Sequence, residues 1–328
     1  MPEVLQRLAA RQTTALLLIL GVAVYTVFFA AVPARLDLSI STAVYALLAL
    51  SVALIYGQAG VLSVAQAGFA AVGAYATAIL TTRWDIPPLI SLFAAILLPA
   101  LLGFLLSRVV GSLSHLSLAV ATLVFGEIVT IVLREGGTLT GGYVGLSGIP
   151  GLAFAPDLLA YHLLAWGVVI VVVILCSNLI TTTRGRAYQT IGHDPLRAEA
   201  DGINVPKSTA LLFGCSAGLA GLAGWLYAHY MTFLAPESLP ASLSITVVLM
   251  VVVGGRRHIA GAIVGTILLV ALQNAMPTEE SQGLLYGAVL VLVLIAAPDG
   301  LVGLVNWWRD RRRRAARPII PEPTAQEV

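Results

Sequence analysis

Strongly polar side chains are few in this chain, so those that interrupt its apolar stretches carry most of its chemical information. Glu127 stands alone in Leu123-Val124-Phe125-Gly126-Glu127-Ile128-Val129. An acid at the middle of a membrane helix costs about 2.5–3.5 kcal/mol on insertion scales, and it must find a partner or a wet path. Two readings stay open: a pathway or proton-relay carboxylate, or an acid that pairs with a neighbouring helix and orders the bundle, Arg134 two turns on being a candidate cation. A second interruption is Gly57-Gln58-Ala59-Gly60, followed by Ser63, Gln66 and the stretch from Gly68 to Gly73. Polar backbone at membrane depth is tolerated only where protein buries it or it lines a watery path. Gly57, Gln58, Gly60, Gln66 and Gly68 therefore join Glu127 as candidate lining of a translocation path.

Asp194-Pro195 opens a short helix. Aspartate at an N-cap accepts hydrogen bonds from free N–H groups of the first turn, and proline is preorganised for the first helical position. Gly202, after Arg197-Ala198-Glu199-Ala200-Asp201, suits the left-handed residue that follows a helix end. So short a helix is not stable alone in water; it docks against something or caps the bundle.

Other chemistries lack their residues. A phosphate-binding P-loop needs a Gly-Lys pair, and the only lysine, Lys207, follows Pro206 in no glycine-rich loop. His115, His162, His193, His229 and His258 form no His-x-x-x-His or Glu-x-x-His pair, and there is no Gly-x-Ser-x-Gly elbow. Cys176 and Cys215 lie in apolar stretches and read as small core residues. Gly214, Gly218, Gly221 and Gly224, with Gly261 and Gly265, have the spacing that lets helix backbones approach closely.

The elements that position these residues are membrane spans. Of 328 residues, 59% are hydrophobic and 10% charged, and mean hydropathy is +0.94. Soluble domains carry about 25% charge, so these few ionic groups could not cover a water-facing surface. A span needs about 20 mostly apolar residues. That ruler predicts an all-α, polytopic bundle of about ten spans at 13–32, 39–57, 61–82, 87–106, 114–133, 158–180, 208–228, 241–254, 259–276 and 282–297. The eighth is short, and the Gly57–Gly60 break leaves almost no loop between the second and third, so a half-span or broken helix is open at both. The first run is longer than a signal-peptide core and ends without a small-residue cleavage site; it reads as a retained span.

Positive charge orients the map, since basic residues concentrate in cytoplasmic segments. With both termini cytoplasmic, the inner segments hold Arg7, Arg11, Arg108, Arg184, Arg186, Arg197, Lys207, Arg256, Arg257 and the six arginines between Arg309 and Arg317. Only Arg35, Arg83 and Arg134 remain outside. Residues 1–305 thus form one transmembrane domain, with a periplasmic loop at 134–157 and a cytoplasmic loop at 181–207. Residues 306–328 form a basic, disordered tail held near anionic lipid. Trp84, Trp307 and Trp308 fall at expected interfaces, and no nucleic-acid partner is expected.

The loop carrying Gly185-Arg186-Ala187, Asp194-Pro195 and Glu199-Ala200-Asp201-Gly202-Ile203-Asn204 resembles the coupling segment of ABC importer permeases. More narrowly, the chain is similar to the LivM-type permeases of branched-chain amino acid importers. Gly57-Gln58-Ala59-Gly60 through Gly73-Ala74-Tyr75, Thr122 through Val129, Thr140-Gly141-Gly142 and Gly148-Ile149-Pro150 match in order. Ala217 through Gly224, Tyr227-Ala228, Pro236-Glu237-Ser238 and Gly254-Gly255 complete the series over most of 45–275. Each motif is Gly- or Ala-rich and weak alone; the ordered set is specific. The resemblance implies a permease subunit of the bacterial inner membrane that binds no cofactor itself. It implies a second homologous permease, two ATPase subunits that use ATP and magnesium, and a periplasmic substrate-binding protein. It also implies that Asp194, Pro195, Arg197, Glu199, Ala200 and Gly202 couple to the ATPase. Tyr143-Val144 stands where many members show Pro-Asn, and Arg256-Arg257-His258-Ile259-Ala260 replaces a commoner apolar or small run. These departures leave the fold alone but bear on the substrate; urea, amides and other small solutes are carried by similar permeases. A transporter driven by an ion gradient is the competing class, and Glu127 alone would have to bind its coupling ion.

Overall fold

The computed structural model describes residues 2–111, 113–275, 287–288, 291 and 300–304. Twelve helices succeed one another there: α1 (Pro2–Phe29), α2 (Pro33–Ala59), α3 (Gln66–Arg83), α4 (Pro88–Val110), α5 (His115–Glu135), α6 (Gly137–Thr140), α7 (Leu158–Thr181), α8 (Thr183–His193), α9 (Pro195–Ala200), α10 (Val205–Met231), α11 (Ala241–Gly254) and α12 (Ile259–Ala275). Among the described residues the only sheet is a two-residue antiparallel pairing of β1 (Leu146–Ser147) with β2 (Phe233–Leu234). Among the described residues six segments are long and apolar enough to cross a membrane: α2, α4, Leu116–Glu135 of α5, α7, α10, and the stretch Pro236–Gly254 that ends in α11. Thr13–Phe29 of α1 and α12 are apolar but shorter. Each of the first nine expected spans thus has a helix, although fewer than nine meet the length and apolarity of a full crossing. All of the tenth expected span, 282–297, except residues 287–288 and 291, and the tail at 306–328 with Trp307 and Trp308 lie outside the described residues.

Helix boundaries follow local rules. Proline occupies the first or second position of α2, α4, α9 and α10, where its missing N–H costs nothing. Gly60 closes α2 with φ of +69° and returns its N–H to the Tyr56 carbonyl, a left-handed end that favours glycine.

The core forms where α10 lies along α4, α3 and α2. A β-carbon placed on Gly221 would sit 2.0 Å from the Ala95 carbonyl oxygen, and one on Gly224 2.0 Å from that of Ala70. These glycines let two backbones touch α10, as their spacing predicts. Gly265 does the same for α11, where a β-carbon would meet the Met250 carbonyl at 1.9 Å. Cys176 is buried, but Cys215 is exposed on α10, which corrects its reading as a core residue.

Two helices begin inside the bundle. After Gly60 the chain runs without helix through 61–65, and the Val64 N–H reaches Thr122 Oγ1 at 2.9 Å. Thr122 is the eighth residue of α5, so at 1.5 Å per residue α3 starts about 11 Å in from that helix's beginning. The Ala67 N–H donates to Ser244 Oγ at 2.9 Å, and the Ala241 β-carbon packs 3.3 Å from where Gly126 would carry one. The start of α11 therefore meets the middle of α5. The second and third expected spans are thus separated by an extended segment that turns back into the bundle, and α11 begins beside the middle of α5.

Candidate functional site

Gln66 is fully buried at the first turn of α3. Its Oε1 accepts from Ser51 Oγ of α2 at 3.1 Å, and its Nε2 donates to Ser216 Oγ of α10 at 3.1 Å. Ser216 in turn donates to the Ser51 carbonyl at 2.7 Å. With Thr122 and Ser244 on the backbone N–H groups, this clasp satisfies polar groups that have no water to turn to. Gly68 stands beside it, its missing β-carbon 3.0 Å from the Gly126 Cα. Gly68 thus brings α5 into contact, and Phe125 meets Phe69 with centroids 5.0 Å apart. Of the clasp's residues the sequence singled out Gln66 and Gly68. Thr122 was named only as the head of a family-matching stretch, and Ser51, Ser216 and Ser244 are hydroxyls in apolar runs that no local pattern marks as partners of this segment.

Gly57, Gln58 and Gly60 lie elsewhere, on a small polar pocket of about 140 Å³ at the end of the bundle where α2 stops. Gln189 of α8 donates to Gln58 Oε1 at 3.1 Å. Arg256 donates to the Tyr56 hydroxyl at 3.0 Å with its guanidinium over that ring. A β-carbon on Gly57 would strike the Arg256 carbonyl at 2.1 Å, and one on Gly192 the Gln58 carbonyl at 2.5 Å. α2, α8 and the turn between α11 and α12 therefore meet here through backbone.

Glu127 occupies a third place. It is the thirteenth residue of α5 and is exposed, on the side away from the clasp. Among the described residues no hydrogen bond or ion pair reaches it. Arg134, the candidate partner, is bridged to Glu237 instead, because the loop before α11 dips beside the end of α5. The six residues expected to line one path are thus distributed over a buried clasp, an end pocket and an outward face. A larger cavity, about 510 Å³, opens between α1, α2, α7 and α12 and is mainly apolar; none of the six lines it.

The loop after α7 contains more helix than its sequence predicts. α8 buries Gly185, Tyr188 and Ile191, one face at a three-residue spacing, and seats on the end of α2. Burial pushes the Tyr188 phenol above its ordinary range, with nearby Arg184 pulling against the rise. α9 follows with the expected caps: Asp194 Oδ1 accepts from the Leu196 and Arg197 N–H groups at 3.0 and 3.1 Å, and Gly202 has φ of +81°. Ala198 is buried beneath it, while Pro195, Arg197, Glu199 and Ala200 are exposed. Leu196 is 77% exposed, an apolar side chain on an otherwise polar turn that the sequence reading passed over.

At the opposite end β1 and β2 join the 141–152 and 232–239 loops. The Pro150 carbonyl lies 2.7 Å from His229 Nδ1 of α10, and Trp225 Nε1 donates to the Pro88 carbonyl at 3.0 Å. Tyr143 and Val144 are exposed there.

Backbone held without helix inside an apolar bundle, by an amide and four hydroxyls, meets a requirement of multi-pass membrane proteins, and that is the class this fold defines. Comparison with known proteins narrows it. The family profile described as branched-chain amino acid transport system / permease component matches residues 34–296. The high-affinity branched-chain amino acid transport system permease protein LivM of Escherichia coli (strain K12) is 30% identical over 298 residues, covering 82% of this chain and 70% of the relative. A probable branched-chain amino acid transport permease protein, LivH of Methanocaldococcus jannaschii, is 26% identical over 306 residues, covering 81% and 90%. No solved structure matches the chain. The chain belongs to the branched-chain amino acid transport permease family.

Proposed function

We propose that this chain is one of two permease subunits of an ATP-driven importer in the bacterial inner membrane. Branched-chain or closely related small amino acids pass through it from a periplasmic binding protein to the cytoplasm. Relatives named LivM and LivH both match this chain, which supports a second permease of the same family as partner. Two ATPase subunits use ATP and magnesium beneath the pair, and this chain holds neither.

The observation that carries the reading is α9. It is a short capped helix, held by Asp194 and Gly202, that presents Leu196, Arg197 and Glu199 outward. A helix of six residues would not persist in water without its caps and the bundle beneath it, so it is a preformed knob available to a partner. Asp194, Pro195, Arg197, Glu199, Ala200 and Gly202 form that knob, with Leu196 as its apolar centre. Arg108, Arg184, Arg186, Lys207 and Arg256 cluster at the same end, which supports a cytoplasmic setting. ATPase movement passes from α9 through α8 to the Gly192–Gly60 contact and so to the end of α2. In this reading Gly57, Gln58 and Gly60 border the inner mouth of the path. Gln66 and Gly68 fix the start of α3 on one side of α5, and Glu127 meets the path on the other, outward side of that helix.

Proteoliposomes holding both permeases and the ATPases, with binding protein outside, provide the test. Leu196→Arg combined with Glu199→Arg is expected to lower ATPase co-purification and ATP-dependent uptake at least tenfold. The melting temperature should stay unchanged, because both side chains are exposed. Uptake at the parental rate in this variant rules out α9 as the coupling element.

A further inference from the structure

The cavity of about 510 Å³ between α1, α2, α7 and α12 touches neither the clasp, nor the end pocket, nor α9. It is a slot. Its lining runs from Thr14 to Tyr25 along α1 and from Ala260 to Ala271 along α12, about 16–17 Å on each helix at 1.5 Å per residue. That is close to the depth of one leaflet, half of a hydrocarbon core of about 30 Å. Leu17, Val264 and Ile267 form part of its wall and are exposed, so the slot opens sideways, where hydrocarbon would lie. Its polar groups gather almost entirely at one end, and most are already paired. The Tyr25 hydroxyl donates to the Arg35 carbonyl at 2.9 Å, Trp166 Nε1 to Ser39 Oγ at 2.9 Å, and the Thr42 hydroxyl to the Leu38 carbonyl at 2.6 Å.

Two groups at that end are not. Among the described residues no carboxylate pairs with the Arg35 guanidinium, which lies over the Phe29 ring instead. His162 is fully buried, and its Nδ1 has no hydrogen-bond partner among them. The neighbouring Thr26 shows what Nδ1 lacks. Thr26 Oγ1 stands 3.0 Å from His162 Nε2 and gives its own hydrogen to the Val22 carbonyl at 2.8 Å. Nε2 is therefore the donor in that contact, which leaves Nδ1 of the neutral ring an acceptor without a donor. A buried acceptor of this kind is costly to leave unmet.

We propose that the slot holds one acyl chain of a phospholipid whose phosphate lies on Arg35 and whose headgroup supplies a hydrogen-bond donor to His162 Nδ1. The leaflet-deep length, the sideways opening and the gathering of unmet polar groups at one end suit an amphiphile from the bilayer. A guanidinium meets a phosphodiester with charge-assisted hydrogen bonds. An ethanolamine head carries donors and a choline head carries none, so His162 selects the first. The site is separate from the transport reading and does not depend on it.

Gly21 lines the slot, and a β-carbon there would meet nothing within 4 Å. A leucine at that position therefore has room only in the space assigned to the acyl chain. The full-length chain, purified in its assembly and stripped of lipid, is incubated with phosphatidylethanolamine or with phosphatidylcholine of the same acyl chains. Bound lipid is counted by native mass spectrometry. The parent is expected to retain one ethanolamine lipid per chain that Gly21→Leu loses, at an occupancy at least five-fold above that of the choline lipid. Arg35→Gln should lower this occupancy at least five-fold, and His162→Phe should bring the two lipids to equal occupancy. Melting temperatures of the lipid-free parent and Gly21→Leu should agree. Retention by Gly21→Leu equal to that of the parent overturns the slot as the lipid site. Equal retention of the two lipids by the parent overturns the donor-bearing head. Benzoylphenylalanine placed at 17 or 264 is expected to capture lipid on illumination; capture of residues 276–299 of the same chain instead overturns the proposal.

Discussion

The amide of Gln66 spends both of its polar atoms inside the bundle, whereas the carboxylate of Glu127 spends none there. Two polar side chains on neighbouring helices therefore answer to different pressures. Gln66→Leu removes two hydrogen bonds, but Ser51 and Ser216 keep other acceptors, the Leu48 and Ser51 carbonyls. Intramembrane hydrogen bonds average about 0.6 kcal/mol in double-mutant cycles, so the expected loss is about 1 kcal/mol, read as a lower melting temperature in detergent. Glu127→Gln should leave that temperature alone, having no intrachain partner to lose, yet cut uptake several-fold in proteoliposomes. A variant that melts early but transports normally would remove Glu127 from the path. Arg134→Ala is expected to cost no more than about 1 kcal/mol, since its bridge to Glu237 is solvent-accessible. Neither the partner of Arg134 nor the partners of Gln66 could be read from sequence: they stand 103, 15 and 150 residues away, and no local pattern specifies which helix will face which.

At the level of elements, the sequence was most legible where a rule is local. Asp194 as cap, Pro195 inside it and Gly202 beyond the end needed only the neighbours along the chain, and the structure keeps all three. The glycine spacing of α10 was legible for the same reason, although it did not say that α4 and α3 would be the helices admitted. Hydropathy found the helices but not where they start. It could not distinguish a helix that starts at the end of the bundle from α3, which starts beside the middle of α5, because the residues in 60–65 are nearly as apolar as a span. α8 was missed because its face is amphipathic with mean polarity and it follows a span directly. Its seat on α2 makes a specific prediction. Gly192→Val would drive a side chain into the Gln58 carbonyl, lifting α8 from α2. ATP hydrolysis by the assembled complex should continue while uptake falls at least tenfold. Tight coupling in that variant would show that α8 does not transmit.

For the whole molecule, the two ends differ in charge and in form: one carries α8, α9 and most of the loop arginines, the other the β1–β2 ladder and the exposed Tyr143-Val144 turn. Single cysteines in a chain with Cys176 and Cys215 replaced by serine check which end faces which compartment. An impermeant maleimide added to intact cells is expected to label Tyr143→Cys, and to label Leu196→Cys only after the membrane is broken. The reverse pattern would invert the map and remove α9 from the ATPase side.

The clasp on Gln66 also bears on how the chain is made. Ser216 is synthesised 150 residues after Gln66, and at about 5–20 residues per second that is an interval of roughly 8–30 s. During it α3, short and interrupted at its start, sits in the membrane with its amide only half engaged. Early helices must then linger near the insertion machinery, or pair provisionally, until α10 arrives and locks them. Chains truncated before α10 should be left with an open polar gap at mid-bilayer, the sort of defect that membrane proteases clear quickly. The same contact that completes the mature bundle thus works as a checkpoint on its assembly.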